Sequence, residues 1–202
     1  MKKLILATVV SSLVSGAAMA AMPKAVSGPS EGDKDSTSAT LTWEADVPTI
    51  IPGAWVTFTG EGGSMTLTSA DLNLEADGTF NSTPIKLELH TYDEESNTAG
   101  ELVVVDADQF DGTGVSKISY SVSAPTFSSL LGTDVSNVIP TVSMDDSVVA
   151  IDATIESTSA ETYWKIGGSN INSMVGGDTI SATTVVRADV EFAKAGGLVG
   201  GQ

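Results

Sequence analysis

The chain has 202 residues, no cysteine and a formal net charge of −17 at pH 7, with 9 basic against 26 acidic residues. This balance argues against binding to nucleic acid or anionic lipid, because contacts with phosphate need Lys and Arg. The lack of cysteine excludes disulfides, thiol catalysis and cysteine metal sites, so the core or a partner must supply the stability.

Residues 1–20 are predicted to be a secretory signal peptide. Lys2 and Lys3 form a basic start, a short apolar run follows, and Ala18 and Ala20 are the small residues that a signal peptidase reads. Removal of this leader leaves about 180 residues, which is enough for one domain with a proper core. It also leaves 7 basic against 26 acidic residues, a net charge of −19.

The mature chain is predicted to open with a flexible arm over residues 21–38, since this stretch is polar and contains Gly, Pro and Ser. A strand is predicted next, over residues 39–47, because apolar and polar residues alternate there. The apolar positions, which share one face of an extended chain, are Leu41, Trp43, Ala45 and Val47.

Further short strands follow at intervals of about ten residues, with turn residues between them. Residues 84–92 alternate regularly, and residues 147–157 are predicted to form a single strand. Residues 126–138 predict either one short helix or an irregular crossover. The longest alternating stretch is 178–193, with these residues in one phase: Ile180, Ala182, Thr184, Val186, Ala188, Val190 and Phe192.

This pattern predicts an all-β fold, with a β-sandwich of the immunoglobulin-like type over residues 39–193 and a flexible tail over 194–202. An outer-membrane barrel is the competing β architecture. It calls for aromatic girdles, whereas aromatic residues make up only 5% of this chain.

Catalytic and metal-binding patterns are weak. The one histidine, His90, falls in phase with Lys86 and Glu88 and is predicted to be an exposed strand residue rather than a catalytic base. The sequence predicts no enzyme and no cofactor. The weak candidate metal site is calcium at an acidic turn, with the oxygen ligands Asp106, Asp108 and Asp111.

The leader, the cysteine-free sandwich and the two end strands together carry a resemblance. The stretch LTWEADVP (41–48) has a Trp followed closely by Val-Pro, and TTVVRADVEFA (183–193) is a long alternating C-terminal strand. The chain in these respects resembles the major subunits of chaperone–usher fimbriae of Gram-negative bacteria, in particular the cysteine-free colonisation-factor pilins.

The resemblance implies an immunoglobulin-like fold that lacks its final strand and exposes an apolar groove. A periplasmic chaperone first lends a strand to that groove, and at the outer-membrane usher the N-terminal strand of an identical subunit replaces it. The product is a homopolymer on the cell surface that mediates adhesion to a host receptor. The implied donor residues are Leu41, Trp43, Ala45 and Val47, and the implied groove and chaperone-binding residues are Val186, Ala188, Val190 and Phe192.

Two alternatives stay open at this point. Residues 39–47 are either a donated strand or the ordinary first strand of a self-complete sandwich, in which case the donor lies earlier, in 21–38, or does not exist. The alternative function is a secreted, self-complete β-sandwich that binds carbohydrate or extracellular matrix, with a calcium site at Asp106–Asp111. Its stacking platform would come from Trp43, Trp55, Trp164, Tyr92 and Tyr163.

Overall fold

The computed structural model describes residues 29–42, 50–105 and 114–192. These residues form fifteen strands and one short 3-10 turn (Glu61–Gly63), with no α-helix among them. The strands in chain order are β1 (Lys34–Thr42), β2 (Ile50–Ile51), β3 (Val56–Thr59), β4 (Leu72–Leu74), β5 (Phe80–Ser82), β6 (Ile85–Asp93), β7 (Thr98–Leu102), β8 (Val104–Val105), β9 (Gly114–Val122), β10 (Thr126–Ser129), β11 (Ile139–Met144), β12 (Ser147–Val149), β13 (Ile155–Ser157), β14 (Glu161–Ser169) and β15 (Ile180–Phe192).

The strands form two sheets, as the alternating sequence predicts. The first sheet has the order β13-β9-β15-β1-β2, with β8 beside β9 and β10 beside β15. The second has the path β12-β11-β14-β5-β4. In addition, β6 pairs with β14, and β3 and β7 both pair with β6. The pairs are antiparallel except for β8 with β9, which are parallel. The prediction of an all-β fold with two sheets is confirmed.

One core lies between the sheets, and aromatic side chains occupy its centre. The ring of Tyr120 on β9 lies 6.3 Å from that of Phe58 on β3 and 6.3 Å from that of Trp164 on β14. All three side chains are fully buried. Since Tyr120 belongs to the first sheet and its two neighbours to the second, these contacts hold the two sheets together.

The hydroxyl of Tyr120 is satisfied within the protein, because it donates to the carbonyl oxygen of Ser159 at 2.9 Å. Burial, assisted by the negative charge of Asp145, raises the pKa of this phenol well above its usual range. Tyr120 is therefore a neutral core residue whose hydroxyl is satisfied by Ser159.

Three predictions about individual segments are corrected. Strand β1 begins at Lys34, so the last residues of the arm predicted over 21–38 are strand. Residues 147–157 form two strands in different sheets, because the chain turns at Asp152, whose φ is 59°. Of the two alternatives for residues 126–138, the short helix is wrong: the segment begins with strand β10 and then crosses irregularly from the first sheet to the second.

Several predicted segments lie outside the described residues. These are the signal peptide (1–20), the first eight residues of the arm (21–28) and the tail (194–202). Within the part of the chain that the structure describes, no helix has the length and apolar character needed to cross a membrane.

Candidate functional site

The first strand occupies a slot between the last strand and a short strand that follows it in the sequence. We call this arrangement, β1 flanked by β15 and β2, the β1 slot. Along β15 the register runs from Lys34 opposite Glu191 to Thr42 opposite Thr183. On its other side β1 pairs with β2 at residues 38 and 39. Strands β9 and β10 cover the remaining edge of β15.

The inward face of β1 fills part of the core. Thr37, Ala39 and Leu41 are buried, whereas the intervening positions are only partly buried. Leu41 therefore lies where the sequence places it, on the apolar face of a strand. The other predicted donor residues, Trp43, Ala45 and Val47, lie outside the described residues.

The wall of the slot on β15 contains every residue predicted to line a groove. Val186, Ala188, Val190 and Phe192 are all buried and share one face of the strand. Phe192 packs edge-to-face against Trp55, with ring centroids 5.8 Å apart. These side chains and Leu41 thus belong to adjacent paired strands and to one core.

Strand β1 is also held by a carboxylate that sequence reasoning missed. Oδ1 of Asp35 accepts from the backbone N–H of Ala54 at 3.0 Å. Its Oδ2 accepts from the N–H groups of Trp55 at 2.6 Å and Val56 at 3.0 Å. Hydrogen bonds to an ionised acceptor are roughly twice as strong as those between neutral groups. These three hydrogen bonds, which we call the Asp35 cradle, therefore fix the start of β1 against the loop that precedes β3.

Gly53 allows the two chain segments to approach this closely. A Cβ atom at this position would lie 2.3 Å from the carbonyl oxygen of Ser36 and 2.7 Å from Oδ2 of Asp35. Both distances are too short for a carbon atom, and the first involves backbone, which cannot rotate away. Any residue larger than glycine would therefore force β1 and the loop before β3 apart at this point.

Thr37 makes the second polar contact in the slot. Its hydroxyl donates to the carbonyl oxygen of Ile51 at 2.9 Å and accepts from the N–H of Phe58 at 3.4 Å. Ile51 belongs to the first sheet and Phe58 to the second, so the Thr37 side chain links β1 to both sheets. The sequence does contain an indication of this role, because Asp35 and Thr37 occupy the same alternating positions as the inward-facing Ala39 and Leu41.

His90 is buried rather than exposed, so the prediction for this residue is wrong. It is only 9% exposed. Its Nδ1 lies 2.9 Å from the carbonyl oxygen of Gly100 on β7, and its Nε2 lies 3.2 Å from Oε2 of Glu88. Both ring nitrogens therefore have protein partners, which is the arrangement of a structural histidine.

Glu88 is the centre of this polar cluster. Its carboxylate contacts Nζ of Lys86 at 2.7 Å and accepts from the N–H of Gly63 at 3.0 Å. Burial acts to raise the pKa of Glu88, but hydrogen bonds from Lys86, from the backbone of Gly62 and Gly63 and from His90 outweigh it and lower the pKa to about 2. The ion pairs of Lys86 with Glu161 and Glu88 in turn raise the pKa of its ammonium group.

We expect Glu88→Gln to lower the free energy of unfolding near neutral pH by about 1–3 kcal/mol, because a buried charged acceptor is lost. In the wild type the stability linked to Glu88 is complete above its ordinary pKa of 4.5 and is lost as the pH falls through about 2. The variant should therefore lose less stability on acidification. Thermal unfolding across this range checks the result, with the exposed Glu95→Gln as control, and parallel profiles for wild type and Glu88→Gln would contradict it.

The described residues offer little for the alternative binding functions. Trp164 is fully buried and donates from Nε1 to the hydroxyl of Thr162 at 2.9 Å, so it is not available for stacking. Tyr163 is exposed, with Nζ of Lys86 5.9 Å from its ring centroid. The calcium candidate Asp106–Asp111 lies outside the described residues, and no other group of three metal-ligating side chains occurs within them.

Comparison of the chain with models of protein families, with curated proteins and with solved structures gives no match. Function is therefore inferred from the β1 slot and from the sequence that forms it.

Proposed function

We propose that this chain is the structural subunit of a surface fimbria, in which β1 of one subunit completes the first sheet of an identical neighbour. The observation that supports this proposal is the position of β1 between β15 and β2. A molecule without β1 would have an apolar groove with a strand edge on each side. That is the form of the incomplete sandwich that the resemblance to chaperone–usher pilins implies.

The chain connectivity is compatible with exchange. Strand β1 is joined to the body only through residues 43–49, so a β1 from a second molecule can make the same contacts in the same register. In this structure β1 closes the sheet of its own chain. Exchange retains every one of these contacts and transfers them to a neighbour, as in domain swapping.

Strand exchange of this kind produces a filament. Each subunit donates β1 and accepts another β1 along β15, which are different surfaces of the molecule. Such a contact is heterologous, so subunits add into a filament wherever the rotation between neighbours does not close a ring. Each joint contains a main-chain ladder and buried side chains such as Leu41, whose burial contributes about 1.5–3 kcal/mol. A joint of this kind dissociates slowly.

The remaining elements of the proposal depend on the resemblance and on the leader. A periplasmic chaperone occupies the groove lined by Val186, Ala188, Val190 and Phe192 until an outer-membrane usher exchanges it for β1. The fibre is extracellular and mediates adhesion or colonisation through a host receptor. No catalytic role is proposed for the chain.

Deletion of residues 29–42 tests the proposal. We expect wild-type cells to display filaments that dissociate in SDS only on boiling, and cells with the deletion to display none. A control deletion of residues 21–28 leaves β1 intact and should retain the filaments. Electron microscopy of intact cells and unboiled gels provide the measurements. Filaments that persist without residues 29–42 would show that β1 is not the donated strand.

A second candidate is a secreted β-sandwich that is complete in itself and binds carbohydrate or extracellular matrix. The observation that favours it is the pairing of β1 with β15 of the same chain. This candidate predicts a protein that stays monomeric at high concentration and whose melting temperature rises when a glycan is added. Size-exclusion chromatography of the secreted protein separates the two candidates.

A further inference from the structure

One end of the molecule exposes apolar side chains on two neighbouring loops. Leu130 and Leu131, which follow β10, are 77% and 55% exposed. Met174 and Val175, in the loop before β15, are each 41% exposed. We call these four residues the apolar end.

A hydrogen-bond network centred on Asp178 holds the first of these loops in place. The carboxylate of Asp178 accepts from the hydroxyl of Ser129 at 2.6 Å and from the N–H of Leu130 at 3.0 Å. It also accepts from the N–H groups of Leu131 at 2.6 Å and Thr133 at 3.0 Å. Four donors on one carboxylate fix the backbone that carries Leu130 and Leu131.

The two loops are also tied to each other. Asp134 and Asn172 exchange backbone hydrogen bonds of 2.9 Å in both directions, and the N–H of Val175 donates to the hydroxyl of Thr133 at 3.1 Å. The four apolar side chains are therefore exposed on two loops whose backbones are fixed by hydrogen bonds. Apolar side chains displayed together on such a surface are characteristic of an interaction site.

The apolar end lies where β1 leaves the β1 slot. Thr42, the last residue of β1, pairs with Thr183, which on its other side pairs with Thr126 of β10. From Thr126, strand β10 runs to Ser129 opposite Ile180 and leads directly into Leu130. The exit of β1 and the apolar end are thus about three residues apart along β15, or roughly 10 Å.

We propose that the apolar end packs against the body of the subunit that donates β1. This inference rests on the proposed function, because it requires that β1 come from a second copy of the chain. In that case residues 43–49 must join Thr42, in the slot of one subunit, to Ile50 in the body of its neighbour. Eight Cα–Cα steps span at most about 29 Å, so the donor's Ile50 lies within that distance of its own Thr42 and within roughly 39 Å of the acceptor's apolar end.

Tethering makes a small apolar contact sufficient. Once β1 is inserted, a segment as short as 43–49 holds the two bodies at an effective concentration on the order of millimolar. The four apolar residues then need to supply only a weak additional contact to be covered for most of the time. The net charge of −17 disfavours an anionic membrane as the occupant, and a second copy, which carries the same charge, is instead held in place by the inserted β1.

The absence of cysteine allows a direct test. Leu131→Cys places a single thiol at the apolar end, and Val148→Cys places one at an exposed position on β12 as the matched control. Each variant is treated with a maleimide as intact fibres and as refolded monomer. We expect Leu131→Cys to react roughly tenfold more slowly in fibres than in monomer, because packed interfaces exclude solvent and reagents. Val148→Cys should react at the same rate in both.

The outcomes separate this inference from the function on which it rests. Equal labelling of Leu131→Cys in monomer and in SDS-resistant fibres would overturn the inference and leave the fimbrial proposal intact. Slow labelling in the monomer would also overturn it, since the apolar end would then be covered without a neighbour. Failure of the wild-type chain to form SDS-resistant fibres would overturn both.

Discussion

Leu41→Ala is expected to weaken both the fold and the joint between subunits by about 2–5 kcal/mol, which is the usual range for a buried Leu replaced by Ala. Leu41 is fully buried on β1 and belongs to the core that the sheets share. A donated strand with this change leaves a cavity in the acceptor. Fibres of the variant should therefore dissociate in SDS at a lower temperature than wild-type fibres.

Two substitutions on the facing strand calibrate this result. Val190→Ala removes a buried side chain from the slot wall and should also lower the dissociation temperature, by less than Leu41→Ala because fewer atoms are lost. Val185→Ala lies on the same strand, but its side chain is exposed, so its effect should stay within about 0.5 kcal/mol. Fibres that resist heating equally with and without Leu41 would count against β1 as the joint.

Removal of the carboxylate of Asp35 is expected to have the second large effect. In Asp35→Ala the N–H groups of Ala54, Trp55 and Val56 lose the acceptor they share in the structure. Hydrogen bonds to a charged acceptor contribute about 1.5–3 kcal/mol each, and because these three share one group we expect a total loss on the order of 2–4 kcal/mol. Chemical denaturation of the monomer and heating of fibres in SDS measure the effect.

A conservative change and a neighbouring position sharpen this test. Asp35→Asn keeps one oxygen acceptor and should lose less stability than Asp35→Ala. Gly53→Ala should be as damaging as Asp35→Ala, because its Cβ would lie 2.3 Å from the carbonyl oxygen of Ser36. Asp33→Ala is the control, since among the described residues its side chain accepts from the exposed N–H of Ser30 alone. If Asp33→Ala and Asp35→Ala are equally mild, the cradle does not hold β1.

The long regular elements could be predicted because a single physical signal governs them. Strand β15 alternates over its whole length and buries its inward residues from Ala182 to Phe192, so period-2 patterning located the strand and its inner face. The same signal identified β6 and the all-β class. Leu41 was placed correctly for the same reason.

The start of β1 was missed because its stabilising contacts are distant in sequence. Asp35 and Thr37 are polar, and polar residues in a stretch with Gly and Ser favour an irregular arm. They nevertheless face inward, because Ile51 and the N–H groups of residues 54–56 and 58 satisfy them. Hydrophobic patterning carries no information about such partners.

Two other errors have the same origin. His90 was assigned to a solvated face because it is in phase with Lys86 and Glu88, yet the pairing of β6 with β7 brings Gly100 onto it and the cluster is buried. Residues 147–157 keep a regular alternation while the chain crosses from the second sheet to the first. Both depend on which strands become neighbours, which a local pattern does not specify.

A disulfide across the β1 slot tests most directly whether β1 is exchanged. Ser38 on β1 and Arg187 on β15 face each other in register, on the side of the strands that points away from the core. Facing residues of an antiparallel pair have Cα atoms about 4.5–5.5 Å apart, within the range that a disulfide bridges. The chain has no native cysteine that could form a competing bond.

The measurement is a boiled, non-reducing gel of oxidised surface material from the Ser38→Cys/Arg187→Cys variant, with each single substitution as control. Exchange of β1 between subunits predicts a covalent ladder of multimers that reductant collapses to monomer, and no extended ladder from either single variant. A double variant that runs only as internally cross-linked monomer would contradict the proposal, because β1 would then belong to the sheet of its own chain.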